Sequence, residues 1–170
     1  MNAANILTSI RLALIPVFGC FLYRQQYQKA AIFFLLSGIT DVLDGYVARK
    51  YNLITSWGKF LDPVADKLMQ ITALGFLTIQ KRIHVIVLII VVIKEILMIA
   101  GGVVVYRHKK FVVSSNWYGK LATAIFFAAI VLVLYEVPYS NVFIIIAAAA
   151  TLYAFCMYTF KYIKIRKSSA

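Results

Sequence analysis

An all-α integral membrane bundle of six transmembrane helices is the fold this sequence predicts, and three observations predict it. Hydrophobic residues make up 63% of the 170-residue chain and charged residues 14%, whereas soluble domains lie nearer half and a quarter. Apolar runs of about 20 residues, the length a helix needs to cross hydrocarbon, recur six times. The segments between them are short, so residues 1–170 read as one membrane-embedded domain.

The elements follow in order. Asn5 to Tyr23 is the first run; it carries Arg11 in its early turns and no small-residue cleavage site follows it, so it is expected to stay as a tilted or partly interfacial span rather than a removable signal. Lys29 to Val47 and Phe60 to Ile79 are the second and third, separated by an inner loop over 48–59. His84 to Tyr106 is the fourth and contains Lys94-Glu95, a charged pair at a depth where charge is expensive and normally faces a cavity or a partner. Trp117 to Tyr135 and Val142 to Phe160 are the fifth and sixth. Residues 24–28, 80–83 and 136–141 are expected as outer turns, with Pro138 and Asn141 as turn residues, and 107–116 as a second inner loop. Ala147 to Ala150 suits a close helix contact.

Charge supplies the orientation. Of the 18 basic residues, Arg24, Lys29, Lys81 and Arg82 fall on one side, Lys94 lies inside a span, and the other 13 fall on the opposite side. The positive-inside rule makes the richer side cytoplasmic, with both termini there. A formal charge of +12 invites a nucleic-acid reading. These cations cluster at span ends rather than along a soluble face, so membrane lipids are the expected partner and nucleic acid is not. The basic tail from Lys161 to Lys167 suits anionic headgroups. Cys20 and Cys156 are isolated in apolar segments and form no disulfide or metal pattern, and His84 and His108 lie at opposite ends of one span.

Acidic residues are the scarce resource. The chain has six, and four of them, Asp41, Asp44, Asp62 and Asp66, fall within 26 residues. On a helix Asp41 and Asp44 share a face with Gly45 and Ala48; Asp62 and Asp66 are one turn apart on the next span. A helical hairpin can aim these two pairs at one pocket, where carboxylates would repel unless cations stood between them. Hard divalent ions suit such ligands and usually share them with substrate phosphates, and two such ions clamp a displacement at phosphorus. Gly45 and Ala48 leave room for a ligand against the helix, and Arg49 is a phosphate partner. Two other readings stand beside this one: helix-end acids paired with nearby Lys and Arg, and a cation channel or transporter with an acidic ring.

The run Asp41-x2-Asp44-Gly45-x2-Ala48-Arg49-x8-Gly58-x3-Asp62-x3-Asp66 resembles the complete signature of the CDP-alcohol phosphatidyltransferases. Asn5-Ile-Leu-Thr8-Ser-Ile-Arg11 and Asp62-Pro63-x-Ala65-Asp66-Lys67 are similar to the bacterial phosphatidylglycerophosphate synthase and cardiolipin synthase branch, and the likeness covers about the first 125 residues. The resemblance implies a six-helix fold, usually homodimeric, with a metal-lined cavity open to the cytoplasmic leaflet of the cell membrane. It implies two divalent metal ions, Mg²⁺ or Mn²⁺, held by Asp41, Asp44, Asp62 and Asp66, with Asp66 also the base that takes the acceptor's proton. Gly45, Ala48 and Arg49 would hold CDP-diacylglycerol and CMP would leave. Lys94, Arg107 and Lys120 are the cations expected at the acceptor. Glycerol 3-phosphate is the favoured acceptor, giving phosphatidylglycerophosphate. Phosphatidylglycerol, giving cardiolipin, is the alternative, kept open by Ala122 and the Gly101-Gly102 stretch, where phosphatidylglycerophosphate synthases usually carry basic residues.

Overall fold

The computed structural model describes residues 3–50, 56–109 and 117–167, with side chains for 8–43, 45, 50, 61, 63–100, 117 and 119–160. Six helices account for them: α1 Ala3–Tyr23, α2 Tyr27–Lys50, α3 Ser56–Ile79, α4 Val85–Lys109, α5 Trp117–Leu134 and α6 Ser140–Lys167. Among the described residues there is no strand.

The helices are longer than the apolar runs at the inner end. Residues 48–50 and 56–59, expected as loop, belong to α2 and α3, and α4 continues to Lys109. The hydrophobic run measures where hydrocarbon would end. A helix continues as long as its hydrogen-bond ladder does: no Pro interrupts these charged extensions, and the single glycine in them, Gly58, costs only about 1 kcal/mol. The same reasoning carries α6 through the basic tail to Lys167 and takes Asn141 out of the expected turn into the first turn of that helix.

The six expected runs each fall on one of the six helices. Among the described residues, Ser140–Phe160 is the one stretch long and apolar enough to cross a bilayer by itself, with mean hydropathy 2.0; Thr8–Tyr23 and Gly119–Leu134 are shorter apolar stretches.

The outer turns share one device. The N–H groups of Gln26, Arg82 and Val137 reach back to the carbonyls of Phe21, Leu77 and Leu132, and the residue before each donor, Gln25, Lys81 or Glu136, has a φ of 54 to 58°. This is a helix C-terminal closure that usually employs glycine. Side chains add cross-links at the same end: Gln80 Nε2 donates to the Leu22 carbonyl at 2.7 Å, and Arg82 stacks over the Tyr27 ring while pairing with Glu136.

The core lies between α1, α2, α3 and α5, with Phe18, Leu22, Phe34, Leu74, Leu77, Phe126 and Ile130 buried. Ala30, Ala31, Ala73 and Ala129 let the backbones approach closely. Helix α5 packs on α6, and Ala147 and Ala148 are buried as the alanine run suggested. Helix α4 touches α3 and α6. It turns Ile86, Ile89, Ile93 and Ile96 outward. Such an apolar outer face calls for lipid or a partner.

Candidate active site

Helices α2 and α3 each carry one described acid of the set to a common space. Asp41 on α2 and Asp66 on α3 line one cavity of about 770 Å³, with Arg11 from α1 and Lys120 from α5. That volume lies within the roughly 300–1,000 Å³ of small-molecule sites. The remainder of its wall is mainly apolar, built from Phe34, Met69, Phe127 and Ile130 among others.

Arg11 is 1% exposed and its Nη1 stands 2.7 Å from Oδ1 of Asp41, which is 47% exposed. The guanidinium therefore approaches the acid from the protein side and leaves the other face of the carboxylate toward the cavity. Arg11 carried no site role in the residue-by-residue reading; the signal was there, an arginine within an apolar helix.

A second cavity of about 200 Å³ opens on the other side of Asp66. Lys67, Gln70, Lys94, Glu95, Lys120, Ala122, Thr123, Thr151 and Tyr158 are among its walls. Glu95 is buried and accepts from both Lys67 and Lys94. The Lys94-Glu95 pair is thus a three-membered cluster joining α3 to α4 at the cavity edge. Asp66, Gln70, Lys120 and Thr123 line both cavities, so the two spaces meet on one shared wall. Asp66 there lies in the combined field of Asp41, Glu95, Lys67 and Arg11.

Other expected residues are placed only by backbone. Asp44, Ala48 and Arg49 lie on α2, Asp62 on α3 and Arg107 on α4, and their side chains are outside the described residues. Gly45 is half-buried one turn beyond Asp41. Among the described residues no three potential metal ligands gather, and Asp41 and Asp66 are the described half of the acidic set. Their donors are oxygen alone, facing a cavity with room for a phosphate, which fits a hard divalent ion. Pro63, just after Asp62, removes one backbone hydrogen bond from α3, a defect that helices of this kind tolerate where neighbours pack.

Helix α6 is the larger omission. It lies beyond the first 125 residues that carry the resemblance, yet Thr151, Ala154, Phe155 and Tyr158 line the smaller cavity. No carboxylate or lysine marks them, so only packing could reveal them. Cys20 and Cys156 are free and exposed.

The family model for CDP-alcohol phosphatidyltransferases matches residues 1–153. The chain belongs to that family. Its members are membrane proteins. The chain is similar to a Rickettsia bellii protein described as CDP-diacylglycerol–glycerol-3-phosphate 3-phosphatidyltransferase, 51% identical over 71 residues, covering 40% of this chain and 39% of the relative. A Bacillus subtilis protein with the same description is 40% identical over 88 residues, covering 43% and 46%. A cardiolipin synthase (CMP-forming)/mitochondrial hydrolase fusion protein of Schizosaccharomyces pombe is 50% identical over 64 residues, covering 37% and 11%. The matches thus span less than half the length of these relatives. In this family member helices α2 and α3 carry the signature, and Arg11, Glu95 and Tyr158 are residues that only the packing brings to it.

Proposed function

We propose that this phosphatidyltransferase transfers the phosphatidyl group of CDP-diacylglycerol to glycerol 3-phosphate, releasing CMP. One observation carries the reading: a large, mostly apolar cavity and a small one with Lys94, Glu95 and Lys120 in its wall meet at Asp66. The first suits a nucleotide-activated lipid, with phosphates near Asp41 and acyl chains among Phe34, Met69 and Ile130. The second, below the usual range for drug-sized ligands, suits a compact phosphorylated alcohol near Lys94 and Lys120. The S. pombe relative and Ala122, an apolar residue in the wall of that small cavity, favour phosphatidylglycerol as the second reading. The lack of space for two further acyl chains weighs against it.

The chemistry assigned to the chain is a single displacement. The acceptor hydroxyl oxygen bonds to the phosphatidyl phosphorus as the bridging bond to CMP breaks. Asp66 takes the hydroxyl proton, a role that needs an ionised carboxylate within reach of both substrates. Arg11 orients Asp41, and Lys120, at the junction, faces the phosphates of both. Gly45, Ala48 and Arg49 are assigned to the cytidine diphosphate portion, and Arg107 to the acceptor. Two divalent ions, Mg²⁺ or Mn²⁺, held by Asp41, Asp44, Asp62 and Asp66, would supply charge neutralisation at the pyrophosphate. Positioning and neutralisation would then account for most of the catalysis.

We also propose six membrane passes with both termini and the site on the cytoplasmic side, supported by the distribution of basic residues, and a homodimer, which rests on the family resemblance alone. The deciding experiment incubates purified full-length protein with CDP-diacylglycerol and either glycerol 3-phosphate or phosphatidylglycerol, and follows CMP and the lipid product. Phosphatidylglycerophosphate is the expected product. Cardiolipin formation with no response to glycerol 3-phosphate would replace this reading with the second.

A further inference from the structure

The apolar wall of the large cavity contains a feature that the transfer reaction does not use. Phe127 of α5 is only half-buried and lines the cavity, and its ring lies directly on the backbone of α2 at Gly38. A β-carbon built on Gly38 would stand 2.5 Å from Cζ of Phe127 and 2.9 Å from Cε2. Only glycine leaves that seat open.

The face of the ring is covered as well. Phe127 stacks on Phe34 with centroids 4.4 Å apart and planes 17° from parallel, and Phe34 packs in turn on Phe18 at 5.6 Å. Phe18 and Phe34 are buried. The three rings form a column across α5, α2 and α1 that ends as a plate in the cavity wall.

The plate lies below the acids. Gly38 precedes Asp41 by one turn and Phe34 precedes it by two, so the column sits within about 10 Å of Asp41 along the helix axis. One leaflet of hydrocarbon is roughly 15 Å deep. An acyl chain descending from a phosphate held at Asp41 therefore meets the ring before it reaches its full length. A short chain ends near the column, whereas a long one must run past it.

We propose that Phe127, seated on Gly38 and backed by Phe34, is a specificity-determining residue that selects the lipid substrate by acyl-chain length. The inference rests on the proposed reading that the large cavity takes CDP-diacylglycerol. It makes two opposite demands. Removing the ring in Phe127→Ala deepens the cavity and favours long chains. Adding a methyl in Gly38→Ala meets the tip of the ring and lifts it off α2 into the cavity that it lines, which disfavours them.

The test measures kcat/KM for CMP release by the purified full chain in one detergent, with dioctanoyl and dipalmitoyl CDP-glycerol lipids at saturating glycerol 3-phosphate. The readout is the long-to-short ratio relative to the unsubstituted protein. Phe127→Ala is expected to raise that ratio by about tenfold, the low end of what a methylene in an apolar pocket discriminates, and Gly38→Ala to lower it. Phe127→Leu, which keeps the bulk of the core, is expected between Phe127→Ala and the unsubstituted protein. Those opposed shifts support the assignment, since a general loss of packing changes both substrates alike. Ratios within about twofold of the original in the active variants, or shifts in the same direction, overturn it while leaving the transferase reading intact. No CMP release from either lipid by the unsubstituted protein overturns both.

Discussion

Arg11 on α1 holds its Nη1 2.7 Å from Oδ1 of Asp41 on α2. The pair links the first helix to the first acid of the signature, and it is asymmetric: the guanidinium is buried and the carboxylate half-exposed. Arg11→Met keeps most of the volume and removes the charge. Asp41 can then rehydrate from the cavity, so the loss of stability is expected to stay near 1–2 kcal/mol. Turnover is expected to fall at least about tenfold, because an orienting partner of a ligand residue is lost. Thermal unfolding and CMP release on the same preparation check this; unchanged turnover would remove Arg11 from any role at the site.

Metal removal follows from the proposed carboxylate cluster. Chelator treatment is expected to abolish CMP release, and Mg²⁺ or Mn²⁺ to restore it. Full turnover in metal-free buffer would end the two-metal proposal.

Asp66→Asn separates binding from proton transfer. Asn retains an oxygen that can coordinate but cannot accept the proton, so CDP-diacylglycerol binding is expected to persist while kcat falls by about 10²–10⁴-fold. Equilibrium binding and single-turnover rates make the comparison. A near-normal rate would move the base elsewhere.

Glu95 neutralises two lysines at once. Glu95→Gln leaves Lys67 and Lys94 without their anion; with Lys67 one-third exposed, the expected loss is about 2–3 kcal/mol, short of the roughly 3–5 for a fully buried pair. Adding Lys94→Met is expected to recover part of it, a coupling that a double-mutant cycle reads as non-additivity. Strict additivity would reduce the cluster to separate surface pairs.

Lys120 lines both cavities, so Lys120→Ala should raise KM for both substrates. The larger rise, about tenfold or more, is expected for glycerol 3-phosphate if 1.5–3 kcal/mol of charge-assisted hydrogen bonding is lost. An effect on CDP-diacylglycerol alone would move Lys120 out of the acceptor site.

Orientation is open to labelling in a background without Cys20 and Cys156. Single cysteines replacing Ser56 or Ser168 are expected to react only from the cytoplasmic side and one replacing Arg24 only from the other. Label reaching position 56 from outside inverts the topology.

The sequence by itself determined the helical class, the approximate position of each helix, and the acids that carry the family signature. Hydropathy and i, i+3, i+4 spacing are local properties, and a scarce residue type concentrated in 26 positions is visible without a fold. Helix ends were less legible at the inner side, because the apolar run and the hydrogen-bond ladder stop for different reasons. Tertiary structure alone decided that Arg11 reaches Asp41 across 30 residues, that Lys67 and Lys94 share Glu95 instead of standing apart, and that α6 walls the smaller cavity through Thr151 and Tyr158. It also decided that Phe127 rests on Gly38. Each depends on which faces of distant helices meet. Ridge-and-groove packing fixes those faces, and the residues that mark them, a glycine, a tyrosine or a phenylalanine, are indistinguishable in the sequence from the many that only fill the bundle.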